Sequence, residues 1–399
     1  MKRVLIFSLS YFPKHVGGAE VAIKEKTDRI DDIEFHMVTL RYDSTLPKVE
    51  WVGNVLVHRI GFTKHSPSMA DLKKFPLHAN KFWFQFAAAF EALALHRKYR
   101  YSTTWAMMAH SCGVPAAIFK FFNPKVPMIL ELQEGDPLEQ IERTMLPVWP
   151  FFSRAFTHAD VVSVISTFLG KWAKRRGFSG EPVLVPNAVN ARHFSQRFSK
   201  DEVDGVKERL GKEREDIFLI TTSRLVHKNA IDDVIRALPT LPPRIKFVVL
   251  GTGPEDVSLK KLALSLGVSE RVLFIGYVGH DELPRYLKAS DIFIRPSRSE
   301  GMGNSFIEAM AAGLPVIATQ EGGIADFLFD EKRNPDKEPT GWAVDKDSPQ
   351  QIANAVLNIV AQPEKVKDVV LRAKRMAIEQ YDWEIIAHKA RHEVFGRVL

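Results

Sequence analysis

The chain of 399 residues contains a single cysteine, Cys112. One thiol excludes an internal disulfide framework and is compatible with a reducing compartment. No apolar run reaches the roughly 18 residues that would cross a bilayer. The opening stretch MKRVLIFSLSYFP couples a short basic start to an apolar run. It lacks the small-residue cleavage site of a secretory leader and reads as a first buried strand. A G-x-G-x-x-G fingerprint is missing, so the chain is not an ordinary dinucleotide binder. No group of His, Cys and Asp has metal-ligand spacing. The Asp-x-Asp pattern at Asp345 and Asp347 stands beside Ser348-Pro349 and reads as a helix cap. Internal repeats and low-complexity tracts are absent too.

A balance of charge is also missing, but only in one half. Residues 1–186 hold 24 Lys and Arg against 17 Asp and Glu, whereas the remainder holds 31 against 31. The whole net charge of +7 therefore sits in the N-terminal half. Such an excess favours an anionic partner there, whether a lipid surface, a charged acceptor or nucleic acid. Plain solubility is the alternative.

What is present is a folded, globular composition, 45% apolar and 26% charged, in a chain long enough for two domains. Short apolar runs recur: RVLIFSL (3–9), EFHMVTL (34–40), NVLVHRI (54–60), PMILEL (127–132) and DVVSVIS (160–166). A second series follows with IFLITTS (217–223), IKFVVLG (245–251), RVLFIG (271–276), DIFIRP (291–296) and LPVIAT (314–319). Runs this short and β-branched suit buried parallel strands. Helical patterns alternate with them, as in AEVAIKEKTDRI (19–30) and NAIDDVIRAL (229–238). Two such series predict an α/β chain of two doubly wound domains, residues 1–186 and 187–375, with a helical tail from about 376 returning to the first.

In open α/β sheets, ligands bind where the carboxyl ends of strands meet helix N-termini. Gly17-Gly18 follows the first strand and opens a helix; backbone amides there can face a phosphate or a sugar. Arg224 and Lys228 lie in the loop after IFLITTS. Two cations at that edge suit a diphosphate, which Arg grips bidentately. Tyr277-Val278, after RVLFIG, can lie against a nucleobase. The segment SRSEGMGNSFIEAMAAGLPVIAT (297–319) places Glu300 and Glu308 on either side of Gly301, Met302, Gly303, Asn304 and Ser305. Amides of Gly303, Asn304 and Ser305 can hold phosphate at a helix N-terminus. A helix start at Ser305 would make Ser305-x-x-Glu308 a capping box, which competes with sugar binding for Glu308. In the first half, His110, Glu134 and Asp136 end strands and are acceptor-side candidates. The aromatic stretch NKFWFQFAAAFEALALHRKYR (80–100), with Lys81, Arg97, Lys98 and Arg100, fits an interfacial helix or a buried one.

Taken together, these residues resemble the family 4 glycosyltransferases, retaining enzymes of the GT-B fold. The most specific match is SDIFIRPSRSEGMGNSFIEAMAAGLPVIATQEGGIADFL (290–328), with two glutamates eight apart and a Gly-Gly turn. SRLVHKN, VPNAVN, VGGAE and YDWE match further family segments. The resemblance implies two Rossmann-like domains flanking an interdomain cleft. It implies a nucleotide-sugar donor, UDP- or GDP-linked, and a glycan or lipid-linked acceptor. Arg224 and Lys228 would neutralise the departing diphosphate, Glu300 would contact the transferred sugar and Glu308 the ribose. Gly17-Gly18 would touch the donor. No metal or other cofactor and no nucleic acid would be needed, and the place would be cytoplasmic, with possible contact to an anionic membrane surface. The sequence departs from the family at Gln133 or Glu134, where many members carry His, and at Ala188 and Asn190, where Gly and Asp are usual. Alternatives on the same fold are a nucleotide-sugar 2-epimerase and a non-catalytic nucleotide-sugar or glycan binder.

Overall fold

The computed structural model describes residues 1–14, 17–68 and 71–399. The chain divides into two compact units, Met1–Asn187 with Trp383–Leu399, and Ala188–Asp382. Each is built on its own sheet.

The first unit contains β1 (Lys2–Phe7), β2 (Ile33–Leu40), β3 (Val49–Val52), β4 (Val55–Ile60), β5 (Thr103–Met107), β6 (Met128–Leu132), β7 (Val161–Val164) and β8 (Val183–Leu184). Their order is β3-β4-β2-β1-β5-β6-β7-β8. All neighbours are parallel except the β3–β4 hairpin. β5, β6 and β7 are buried throughout and β1 from Val4 onward, as a sheet with helices on both faces requires. Three strands escaped the apolar pattern, among them the two-residue β8. β5 begins Thr-Thr-Trp, and β3 alternates exposed and half-buried residues at the sheet's edge. The chain moves outward from β1 to β2 and β4, then crosses back to β5, so the sheet's direction reverses between β1 and β5.

The second unit contains β9 (Ile217–Thr222), β10 (Ile245–Leu250), β11 (Val272–Gly276), β12 (Ile292–Arg295), β13 (Val316–Ala318) and β14 (Trp342–Ala343). The order β11-β10-β9-β12-β13-β14 is wholly parallel. This is the doubly wound arrangement, with its reversal between β9 and β12. Leu219, Phe247, Val249, Ile294 and Ile317 of the sheet form one core with Val234, Leu259 and Ile352 of the covering helices.

The tail differs in detail from the sequence reading. The helix Pro363–Gln380 runs past residue 376 within the second unit, and the first unit takes up the chain at Trp383. From there Phe395 packs against the rings of Phe35 and Trp105 at 5.8 and 5.3 Å.

Candidate active site

A reversal point splays two loops apart at the carboxyl edge of a sheet, and ligands settle between them. In the second unit those loops follow β9 and β12. They carry Arg224 and Lys228 on one side and Glu300 to Asn304 on the other.

Arg298 ties the two loops together. Its backbone N donates to Lys228 O at 2.7 Å, and its Nη1 donates to His227 O at 2.8 Å. The guanidinium also binds Asp232 at 2.8 Å, Asp233 at 3.0 Å and Asp347 at 2.6 Å. Burial alone would lower the Arg298 pKa, but the bonds to Asp232 and Asp347 raise it above the usual arginine value. Asp233 is pushed up to about 6, first by burial and then by Asp232. Arg224 is exposed on this braced loop and Lys228 is half-buried. The glycines after β10 support the loop from behind. A Cβ on Gly251 or Gly253 would strike the backbone of Ser223 or Leu225. Their close passage is thus against the Arg224 loop itself, and only glycine permits it.

The second loop is fixed by Arg295, a buried charge at the end of β12. Its Nη2 donates to Glu300 Oε2 at 2.6 Å, its Nε to Ser297 Oγ at 3.2 Å, and its guanidinium lies 4.3 Å over the Phe306 ring. Burial lowers the Arg295 pKa, and the charges of Glu300 and Glu308 pull it back up. Only Glu300 bonds this buried cation directly. Glu300 Oε1 further accepts from Gly301 N at 3.1 Å. Gly322, at φ +61, sits where a Cβ would collide with the Glu300 carbonyl, and Gly323 N donates to that carbonyl at 3.2 Å. The Gly-Gly turn is a seat for the Glu300 backbone.

The capping box is not formed. The helix is Asn304–Ala312, one residue earlier than the pattern suggests, and its N-cap is Gly303 at φ +91. A glycine cap has no side chain to satisfy the first amides. Ser305 Oγ is buried without a partner, and Glu308 Oε1 faces His280 Nε2 at 3.5 Å. Glu308 is thus directed away from its helix end and toward the loop after β11. That loop also carries exposed Tyr277 and half-buried Val278. Met302 is buried, and Gly301, Gly303 and Asn304 complete the turn between the two glutamates. Sequence reasoning missed Arg295, Arg298 and His280. A charge inside the apolar run DIFIRP was the available signal for Arg295.

In the first unit, His110, Glu134 and Asp136 lie after β5 and β6, beside the reversal point. Glu134 is buried and its carboxylate is already used. Oε1 accepts from Ala109 N at 2.6 Å and faces His110 Nδ1 at 3.4 Å, while Oε2 accepts from Gln133 N at 2.9 Å. Asp136 is exposed. Gly17 and Gly18 are exposed on the loop after β1, and Gly17 N donates to Glu20 Oε2 at 2.8 Å. Behind this edge, Lys26 Nζ pairs with Glu131 at 2.7 Å, and Glu131 also accepts from Trp105 at 3.1 Å and Gln133 at 2.6 Å. Cys112 is buried, which pushes its thiol pKa well up. Among the described residues, no group of three or more His, Cys, Asp or Glu is arranged to hold a metal ion, and no helix is long and apolar enough to cross a membrane.

Residues 203–376 match the family model described as glycosyl transferases group 1. The GDP-mannose-dependent alpha-(1-6)-phosphatidylinositol monomannoside mannosyltransferase of Mycolicibacterium smegmatis is 29% identical over 266 residues, covering 64% of this chain and 67% of that protein. The Mycobacterium tuberculosis protein of the same name is 30% identical over 258 residues, covering 62% and 64%. The matched stretch spans about two thirds of each relative. Among solved structures, HepE of Anabaena in complex with UDP and glucose superposes with a TM-score of 0.77 at 19% identity, over 99% of this chain and 100% of that one. Sucrose-phosphate synthase of Thermosynechococcus elongatus gives 0.78 at 19% identity, over 99% and 100%. Two parallel-sheet Rossmann-like units of this kind define the GT-B glycosyltransferase fold. Residues 203–376 thus match the glycosyl transferases group 1 family, and over 62–64% of its length the chain is similar to proteins that are glycosyltransferases by name.

Proposed function

We propose that the protein is a retaining glycosyltransferase that moves a sugar from a UDP- or GDP-sugar to a glycan, lipid or small-molecule acceptor. The observation that carries this reading is the braced pair of loops at the β9–β12 reversal. They carry Arg224 and Lys228 on one side and, on the other, Glu300 held by the buried Arg295, with Glu308 on the helix that follows. In this reading the anomeric carbon–oxygen bond to the diphosphate breaks, and a bond forms from that carbon to an acceptor hydroxyl on the same face. The acceptor's proton passes to the departing phosphate oxygen. Negative charge grows on the diphosphate as it leaves, and Arg224 and Lys228 stabilise it where it grows. They supply the positive charge that a divalent metal supplies in other nucleotide-sugar enzymes, so the reaction proceeds without one.

Glu300 is pinned by Arg295 and Gly301 N, and in that pose accepts hydroxyls of the transferred sugar. Glu308 takes the ribose hydroxyls, with Tyr277 and Val278 beside the base and the amides of Gly303, Asn304 and Ser305 near the phosphates. Gly17, Gly18, His110, Glu134 and Asp136 belong to the first unit, which serves the acceptor and the sugar end of the donor. A peripheral position on an anionic membrane completes the reading and suits the lipid-linked acceptors named for the mycobacterial relatives.

The test begins with thermal shift against UDP, GDP and ADP, then GDP-mannose and UDP-glucose, since a ligand that binds the native state raises its melting temperature. Donor incubated alone is then followed over time, with and without EDTA. Slow donor hydrolysis insensitive to EDTA supports a transferase. An epimerised donor identifies an isomerase, and binding without turnover identifies a carrier.

A further inference from the structure

The helix Asn80–Tyr99 of the first unit buries one face and leaves another bare. Phe84, Ala88, Ala92 and Leu95 are buried. Phe82, Phe86 and Phe90 are also four apart, so they too share a stripe. The Phe82 and Phe86 rings stand 5.7 Å apart. Phe82 is 57% exposed and Phe90 66%.

The segment ahead of the helix adds to this stripe. Asn80 is fully buried; its Oδ1 accepts from Phe62 N at 2.8 Å and its Nδ2 donates to Phe62 O at 2.9 Å. Gly61, at φ +120, allows that approach. The clasp sets the Phe62 ring 5.6 Å from Trp83, with the two 41% and 39% exposed. The turn Leu77–Ala79 then runs directly into the helix, which leaves Phe75, 81% exposed, at its N-terminal end. Five large apolar side chains are thus held out by one loop and one helix. Soluble proteins rarely group them so without an occupant.

Charge identifies the occupant. Residues 62–100 carry seven Lys and Arg against two Asp and Glu, a net +5 of the chain's +7. Lys73, Lys74 and Lys81 are exposed beside Phe75 and Phe82, and Arg97 and Lys98 are exposed at the far end of the helix. Aromatic side chains with flanking cations match an anionic bilayer, where rings enter the headgroup boundary and cations meet lipid phosphates. A second copy of this chain is a poor match. An isologous contact would set the +5 segment against itself.

We propose that the face bearing Phe62, Phe75, Phe82, Trp83 and Phe90 seats the protein on an anionic bilayer, with Lys73, Lys74 and Lys81 contacting lipid phosphates. The proposal rests on the peripheral-membrane reading above and gives it a place in the first unit. The test is co-sedimentation of the full chain with vesicles of phosphatidylcholine alone or mixed with phosphatidylglycerol. Phe82→Ser with Phe90→Ser, and Lys73→Glu with Lys74→Glu and Lys81→Glu, are compared with wild type. Wild type should partition to the mixed vesicles in a salt-dependent way, and each variant should bind about tenfold more weakly or less. Both variants should keep the wild-type thermal shift with nucleotide, which shows that they fold and that the donor site is separate. Variants that bind mixed vesicles as wild type does overturn this face while the membrane reading survives. Wild type that ignores both vesicles overturns both. A dimer in sedimentation velocity that Phe82→Ser with Phe90→Ser abolishes, without vesicle binding, assigns the face to self-association instead.

Discussion

The two sheets reverse direction in the same way, yet their reversal points use charge differently. In the first unit, charges near that edge are consumed inside the protein. Lys26 and Glu131 pair in the core, and Glu134 is spent on the amides of Ala109 and Gln133. In the second unit, one set of charges braces another. Arg298 and its three aspartates hold the Arg224–Lys228 loop, while Arg295 holds Glu300. The contrast teaches that topology nominates an edge, and that the bonding of its charges separates scaffold from chemistry. Substitutions of Lys26 and Glu131 should therefore damage stability, and substitutions at the second edge should damage binding or turnover.

The largest effect is expected at the first edge. Glu131→Ala strands Lys26 without a counter-charge in the core, and breaking such a pair costs about 3–5 kcal/mol. Urea denaturation should show that loss, while the protein that remains folded keeps its nucleotide affinity. An equal loss of nucleotide affinity would blur the division between the edges.

Acid should act on the same unit. His58 is buried against His36, with Nε2 unpartnered, and its pKa is pushed down to about 4 from 6.5 by burial, then by His36 and Lys98. The folded value lies below the unfolded one, so the unfolded chain takes up the proton first. Stability is complete above the unfolded value and falls as pH drops toward 4, by about 3 kcal/mol in all. Urea midpoints between pH 7 and 4 should show this slope, and His58→Phe should flatten it.

At the second edge, Glu300→Gln keeps the shape but weakens the bond to Arg295 and the grip on the sugar. Transfer should slow roughly 100-fold, about 2.7 kcal/mol, with nucleotide affinity unchanged. Glu308→Gln should do the reverse and on a smaller scale. Nucleotide affinity should fall about tenfold by titration calorimetry, with little change in melting temperature. If the two glutamate variants exchanged these phenotypes, the division between sugar and ribose would be wrong.

Much of this was legible in the chain. Aliphatic runs marked most parallel strands, because a strand buried on both faces must be apolar throughout. β5 was less visible because Thr103, Thr104 and Trp105 break the aliphatic pattern, although all three are buried. The cations and glutamates of the second edge were readable from their positions after strands. Their supports were not. Arg298 reaches Asp232 and Asp347 across 66 and 49 residues, and Lys26 reaches Glu131 across 105. Spacing carries no trace of such pairs, but a lone charge inside an apolar run does. Arg295 in DIFIRP and Glu131 in PMILEL both proved to be buried anchors. The capping-box alternative for Glu308 fails for a local reason: the helix begins one residue earlier, on a glycine cap, and the Oγ of the serine that imitates a cap is buried unpartnered.

The central claim is that the β9–β12 edge of the second unit binds a nucleoside diphosphate through Arg224 and Lys228. Titration calorimetry of UDP and GDP into wild type and into Arg224→Ala with Lys228→Ala tests it directly. Wild type should bind one nucleotide per chain, and the double variant should bind at least about 100-fold more weakly while melting at nearly the wild-type temperature. Unchanged affinity in a folded double variant would contradict the account.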